Sequence, residues 1–517
     1  VNGHIFTGKD VTRDTEVTAD VCVVGSGAGG AVLAEQLVSK GLRVAMLEEG
    51  GYHSRSEFNM REDWAYPALY QEMGNRSTDD QSVLMLQGRN VGGGTTVNWC
   101  TSFRTPGPVL ERWASEFGVE GFTEAALLPH FEAIEERLHI KEWPLAAMNR
   151  NNQVLWDGCG KLGFSRGLVR RNVNNCADLG KCGLGCPIDA KQSMGVTLIP
   201  DAVERGMHVY ANASARRLLV DGRKVRGVEA QILDPSKDVP TGATLTVRAK
   251  TVAVCGGAIN SPALLLRSGL TGQGNVGQRL FLHPVVIMAA QMAEPVEAWA
   301  GAPQAAYSRH FINRGPDRLG YFLEAAPLYP MIAATVLSGF GAAHQRVMER
   351  LPHTQVTIAL AVDGFRPGDV GGTVRLANPK ERRVHIDYPL RPWLWEALLD
   401  ASSSMARIQF AGGATEVLSL HASPVRLRPG DDIERLLRDA PWESGRVRVA
   451  TAHQMGGCCM GRDPKQSVVD SSLRYHGLDN LFVVDGSVLP TSLGVNPQES
   501  IFGIARLRSA AVAASVV

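Results

Sequence analysis

The strongest constraint on the fold lies near the start of the chain. Val21–Val24, "VCVV", is a short apolar run fit for a buried parallel strand. It leads directly into "GSGAGG", where Gly25, Gly27 and Gly30 match G-x-G-x-x-G. Ala31–Ser39 then reads as a helix, with Val32, Leu33, Gln36 and Leu37 at helical spacing. A second apolar strand, Arg43–Leu47, ends on Glu48, which lies 18 residues after Gly30. Each part has a mechanical reason. Gly25 permits the tight turn, Gly27 lets a pyrophosphate approach the backbone, and Gly30 lets helix and strand pack closely. The helix N-terminus faces the phosphates, and Glu48 can accept hydrogen bonds from ribose hydroxyls. The order strand, glycines, helix, strand, carboxylate predicts a dinucleotide fold but does not separate NAD from FAD.

A chain of 517 residues has room for two or three domains. A net charge of +1 with mixed signs gives no footing for a nucleic-acid partner. The start, "VNGHIFTGKDVTRD", lacks a basic region followed by an apolar run, so it is not read as a secretory signal. No segment reaches about 18 uninterrupted apolar residues, so no spanning helix is expected. Pro330–Ala342, "PMIAATVLSGFGA", is read as the wall or lid of an apolar cavity. Nine scattered cysteines fit free thiols in a reducing compartment, and a cytoplasmic location is expected.

Two further motifs bear on the cofactor. Gly88–Pro106, "GRNVGGGTTVNWCTSFRTP", is a glycine- and threonine-rich loop whose backbone can approach a planar ligand. Val252–Leu270, "VAVCGGAINSPALLLRSGL", reads as strand, turn and a helix starting at Ser261-Pro262. "NVGQRLFLHP", "HQMGGCCMG" and "VVDGSVLPTSLGVNP" follow in order. With these motifs the chain resembles the glucose-methanol-choline (GMC) flavoprotein oxidoreductases along its whole length. "GAINSPALLLRSGL" looks like the family's second signature, departing at Thr271, where glycine is usual. "NWCTSFRTP", "CGLGCPIDAKQS" and "SLGVNPQ" are most similar to the long-chain alcohol oxidase subgroup.

The resemblance implies an α/β fold: a Rossmann-like FAD-binding domain of GMC type and a discontinuous, sheet-based α+β substrate domain. The FAD domain is assigned to residues 1–140, 190–290 and 445–517, the substrate domain to 291–444, and a cysteine-bearing insertion to 141–189. Strands at Gln355–Val362 and Gly372–Leu376 are expected in the substrate sheet, and a helix at Pro392–Ser404. Carried over by position, Gly25, Gly27, Gly30 and Glu48 hold the ADP half of FAD. Gly92, Gly93, Thr95, Asn98 and Thr101 line the flavin side, and the Ala215 backbone meets the adenine. Asp485 and Gly486 lie near the ribityl chain and pyrophosphate, Pro497 and Gln498 near the pyrimidine edge. Some members tether FAD through a histidine where this chain has Val97, so the expected FAD is noncovalent.

The residues leave three readings for His453: a packed core histidine, a metal ligand beside Cys458 and Cys459, or a general base. The adjacent cysteines offer no C-x2-C spacing for zinc. The family places a histidine or asparagine opposite this histidine, and here Asn496 occupies that place. The resemblance therefore implies alcohol oxidation by hydride transfer to flavin N5, with His453 taking the hydroxyl proton and Asn496 bonding the oxygen. O2, a quinone or an electron-transfer protein then reoxidises the flavin. Trp99, Met331 and Phe340 are apolar pocket candidates, pointing to a long-chain or bulky alcohol. Cys176, Cys182 and Cys186 are read as packing thiols or a disulfide, no metal being assigned. The alternative is an iron–sulfur relay on these three in a dehydrogenase. A cyanohydrin lyase with structural FAD and a noncatalytic flavin electron-transfer subunit are the other rival functions.

Overall fold

The computed structural model of the chain describes residues 3–315, 317–379 and 381–516. Its first sheet is built around the N-terminal strand Thr15–Val24. That strand pairs in parallel with Val44–Leu47 on one side and with the long strand Pro240–Val254 on the other. His208–Tyr210 and His4–Phe6 extend the parallel edge. Pro240–Val254 serves two partners along its length. Its first half pairs antiparallel with Lys224–Leu233, which continues to Ala213–Asp221. Its last residues, Val252–Val254, pair in parallel with Leu481–Val483, more than two hundred residues later. Burial follows this division. Ala243, Leu245 and Val247 are buried at alternate positions, whereas Thr251–Val254 is buried throughout, as both faces are covered there.

The parallel strands end at one edge, and the motifs follow their C-terminal ends: Gly25 after Val24, Glu48 after Leu47, Gly256 and Gly257 after Val254, Asp485 after Val483. This is where an open α/β sheet holds its ligands.

The second sheet runs Arg426–Leu427, Ala414–Ser419, Val285–Met292, Thr354–Ala361, Tyr321–Ala325, Ala306–Ser308 and Gly167–Leu168. Val449–Thr451 joins at Val285 and carries Val83–Met85 as its parallel neighbour. The helix Pro392–Ala411 packs on one face; Gln409 there donates to the Met288 carbonyl at 3.1 Å. The other face looks toward the first sheet.

Several expectations shift. The boundaries at 290 and 445 cut the second sheet, because Val285–Met292 and Val449–Thr451 find their partners there. Gly372–Arg375 lies in a separate three-stranded sheet with Gln278–Leu280 and His385–Asp387. The second-signature helix starts at Gly257, not at Ser261-Pro262, and Pro262 lies inside it. The cause is tertiary: the Asp485 carboxylate accepts from the Gly257 amide at 2.8 Å and the Ser261 hydroxyl at 2.5 Å, anchoring the earlier turn. The helix predicted over 392–404 continues to Ala411. Among the described residues no helix is long and apolar enough to cross a membrane.

Candidate active site

A cavity of about 820 Å³ lies between the two sheets. Its two ends differ in chemistry. One end is glycine-rich backbone. Gly25, at φ +106°, could not carry a side chain: a Cβ there would sit 2.2 Å from the Cys255 carbonyl. A Cβ on Gly30 would come within 2.0 Å of the Gly25 carbonyl, so this glycine serves the packing of turn on helix and is not on the cavity wall. Gly27 is different. A Cβ there would find only the Gly93 Cα, at 4.0 Å, and would otherwise enter the cavity. Gly94 and Gly257 likewise open onto it, with nothing nearer than the 3.8 Å contact of Gly257 with the Gln87 amide. The helix Ala28–Val38 begins at Gly27 without a side-chain cap, so its first amides are free to bind an anion. These open glycines and uncapped amides fit the pyrophosphate of a dinucleotide.

Glu48 lies on the wall, and its carboxylate ties the turn together. It accepts from the Ser26 hydroxyl at 2.6 Å, the Ser26 amide at 3.1 Å and the Gly50 amide at 2.8 Å. The Ser26 hydroxyl in turn accepts from the Gly92 amide at 3.0 Å. Gly92 therefore joins the two glycine loops and does not reach the cavity. Gly93, Thr95, Asn98, Thr101 and Ala215 all line it, as do Asp485, Gly486, Pro497 and Gln498. Asn98, Thr101 and Gln498 form one cluster. Asn98 donates to the Gln498 amide oxygen at 2.6 Å, and Gln498 donates to the Thr101 carbonyl at 2.7 Å. A Gly27→Val variant should fold but lose FAD, because the side chain would fill the cradle; the A450/A280 ratio of purified protein checks this.

The other end is apolar. Val285, Ile287 and Ala289 alternate along one strand and stand directly opposite Leu360, Ile358 and Val356 on its neighbour. All six line the cavity, since side chains two apart share a face. Tyr66, Tyr70, Tyr329, Ile332 and Val336 close the far side. Trp99 is on the wall. Met331 and Phe340 are not. Met331 is 41% exposed and Phe340 91%. The helix Pro330–Val336 turns Ile332 and Val336 inward, and the 3.6-residue period sends Met331 outward.

Polar groups meet at the junction of the two ends. His453 and Asn496 are adjacent, with Nε2 and the Asn496 amide nitrogen 3.4 Å apart. Cys459 donates to the Leu489 carbonyl, Cys458 is fully buried, and among the described residues no group of three or more His, Cys, Asp and Glu is placed to hold a metal ion. The other ring nitrogen, Nδ1, lies 3.2 Å from Nδ1 of His283. The Gly494 amide donates to Nε2 of His283 at 3.0 Å, so the His283 proton sits on Nδ1 and is aimed at His453. His283 is held in turn by Asp363, which accepts its amide at 3.0 Å. His453 faces the cavity but is enclosed by protein, and this burial pushes its pKa down to about 4. Burial, with His453 close by, also takes His283 well below the usual histidine range.

Glu324 is the residue that sequence reasoning missed. It is fully buried, 3.4 Å from the Asn496 amide nitrogen, and accepts from Gln304 at 2.8 Å. Gln304 accepts in turn from the Thr101 hydroxyl at 2.5 Å, linking this corner to the flavin loop. Desolvation outweighs both amide bonds and lifts the Glu324 carboxyl to about 8. Its second oxygen, Oε1, and the Asn496 amide oxygen are buried with no hydrogen-bond partner among the described residues. The signal for Glu324 was a single carboxylate in the apolar run "GYFLEAAPL".

Comparison with known proteins places this geometry. Residues 66–285 and 367–505 match two family models, both described as GMC oxidoreductase. An uncharacterised GMC-type oxidoreductase of Mycobacterium tuberculosis is 33% identical over 94% of the chain and 74% of its own length. A long-chain-alcohol oxidase of Arabidopsis thaliana is 30% identical over 95% of the chain and 68% of its own length. Pyridoxine 4-oxidase from Mesorbium loti shares the fold, with a TM-score of 0.70 and 20% identity over 95% of this chain and 98% of that one. The chain belongs to the GMC oxidoreductase family and is an FAD-dependent oxidoreductase acting on CH–OH groups.

Proposed function

We propose that this enzyme oxidises a primary or secondary alcohol with an apolar body to the aldehyde or ketone, with O2 as the acceptor. The observation that carries this reading is the His453–Asn496 pair at the junction of a glycine-lined groove and a ladder of six apolar side chains. The name of the Arabidopsis relatives supports a long-chain substrate and an oxidase. Bound FAD would supply the hydride acceptor, at its N5 position. Gly27 and the first amides of its helix would hold the pyrophosphate. Asn98, Thr101 and Gln498 would border the ring system, and Val97, which has no nucleophilic atom, would leave it untethered.

His453 Nε2 takes the hydroxyl proton as the Cα–H hydride departs. Asn496 bonds the same oxygen and steadies its developing negative charge. One condition follows from the histidine pair. For Nε2 to accept, both rings must change tautomer, His453 carrying its proton on Nδ1 and His283 on Nε2, which costs the Gly494–His283 hydrogen bond. The bond from the alcohol to Nε2 compensates. The apolar ladder excludes water and holds the alkyl body, and Glu324, kept neutral by burial, adds no opposing negative charge.

Two measurements test the reading. Acid precipitation should release yellow FAD into the supernatant; colour retained in the pellet would disprove noncovalent binding. Anaerobic mixing with a medium- or long-chain alcohol should bleach the flavin, and air should restore it. No bleaching with any alcohol would favour a lyase. Bleaching reversed by a quinone but not by air would replace O2 as the acceptor.

A further inference from the structure

The cysteine cluster noted in the sequence takes on a different composition in three dimensions. Cys100, outside the cluster, is packed beside Cys182, and each thiol acts on the ionisation of the other. All nine cysteines are free. Cys182 Sγ also accepts from Arg171 Nη2 at 3.5 Å. Arg171 is completely buried, stacked 4.6 Å above the Trp143 ring, and its Nε and Nη1 have no hydrogen-bond partner among the described residues. Lys191 is buried beside it, its ammonium donating to the carbonyls of Thr96, Asn98 and Cys182 at 2.8, 2.5 and 3.0 Å. Among the described residues neither cation has a carboxylate ion pair, and Asp178 acts on Arg171 only through space. Buried cations without an anion are costly. The sulfur at the end of the Arg171 fork is the group placed to supply negative charge.

We propose that Cys182 and Cys100 form a peroxide-reactive dithiol beside the flavin loop, Cys182 attacking as the thiolate and Cys100 resolving. The hydrogen bond from Cys100, then the charges of Arg171 and Lys191, hold the Cys182 thiol below the ordinary cysteine range, while burial pushes Cys100 well above it. That asymmetry is what an attacking and a resolving thiol need. Cys182, with Cys176 and Cys186, lines another small cavity of about 20 Å³, room for one water-sized molecule at the sulfur.

The chemistry balances. The Cys182 thiolate attacks one peroxide oxygen, the O–O bond breaks, and Cys182 becomes a sulfenic acid as hydroxide leaves and takes up a proton. The Cys100 sulfur then displaces the sulfenic hydroxyl, which departs as water with the Cys100 proton. Two thiols lose two electrons to one peroxide, forming a disulfide and two waters. The oxidant is the product of O2 reduction under the proposed function, but the inference is tested with added peroxide and so stands or falls apart from that function. Cys100 lies between Asn98 and Thr101, which line the main cavity, and Lys191 bridges their loop to Cys182, so a disulfide here would act on the loop proposed to border the flavin.

The test uses the FAD-loaded, thiol-reduced protein and one equivalent of hydrogen peroxide, without alcohol. Two titratable thiols per chain should disappear under denaturing assay. Peptide mapping should find the Cys100 and Cys182 peptides joined with loss of two hydrogens, and dithiothreitol should restore them. Because Cys182→Ser would leave Arg171 without its anion and threaten folding, the informative variant is Cys100→Ser, in which dimedone should label Cys182 and no joined peptide should form. Full retention of both thiols, a link between other cysteines, or isolated protein holding iron and inorganic sulfide on these sulfurs would each overturn the proposal.

Discussion

His453→Ala should slow flavin reduction by alcohol about 10²–10⁴-fold, the usual contribution of a general base, while leaving a folded, FAD-loaded protein. The pH dependence is the sharper signature. Burial pushes His453 down to about 4, so the ring is neutral, and able to accept a proton, throughout the ordinary working range. The reduction rate of the wild type should therefore stay level well below pH 6.5, where an unshifted histidine would already be protonating. It should fall only as pH drops through about 4, and this acid limb should be missing in the alanine variant. Asn496→Ala should cost less, because water can replace a lost hydrogen-bond donor. Stopped-flow flavin reduction under anaerobic conditions measures all three. A wild-type rate in His453→Ala would return this residue to a packing role.

The second large effect concerns stability. Glu324→Gln should make the protein more stable than the wild type at neutral pH. The carboxyl is protonated in the folded chain up to about 8, whereas in the unfolded chain it ionises near its ordinary value of 4.5. Between these values the unfolded state gives up a proton that the folded state retains. The wild type therefore loses stability as pH rises through this window, at about 1.4 kcal/mol per unit. At pH 7 the difference is on the order of 3 kcal/mol. Glutamine keeps the bonds to Gln304 and Asn496 and has no proton to lose. Thermal unfolding should show the variant ahead by a margin that grows from pH 5 to pH 8; an equal margin at both would mean that Glu324 is ionised in the folded protein. The same substitution should remove the alkaline limb of activity. In the wild type, ionisation above about 8 places a negative charge 3.4 Å from Asn496, opposing charge on the substrate oxygen.

Which parts of the site were legible in the sequence depends on the range of the interactions that make them. The turn at Gly25, Gly27 and Gly30 is local. Its glycines answer to sterics within one strand–helix unit, and all three occupy positions a side chain would obstruct or fill. Glu48, expected to meet a ribose, lies on the cavity wall, but its carboxylate accepts from Ser26 and Gly50, partners that no spacing rule names. Met331 and Phe340 show the limit of composition as a guide. An apolar run marked the right segment, but helical phase decided that Ile332 and Val336 face the cavity instead. The second-signature helix was started four residues late, because its true start is held by Asp485, 228 residues away.

By itself the sequence determined the dinucleotide-binding unit, because it rests on contiguous residues whose backbone geometry admits few alternatives, whereas His453 kept three readings and was singled out with Asn496 by the family resemblance. Only the tertiary structure decided the rest. His283 reaches His453 across 170 residues, Glu324 reaches Asn496 across 172, and Cys100 joins Cys182 from outside its own cluster. The apolar ladder exists because two strands pair in one register and not the next. His283 and Glu324 titrate as they do because the fold removes them from water, and desolvation belongs to the assembled interior rather than to any stretch of chain.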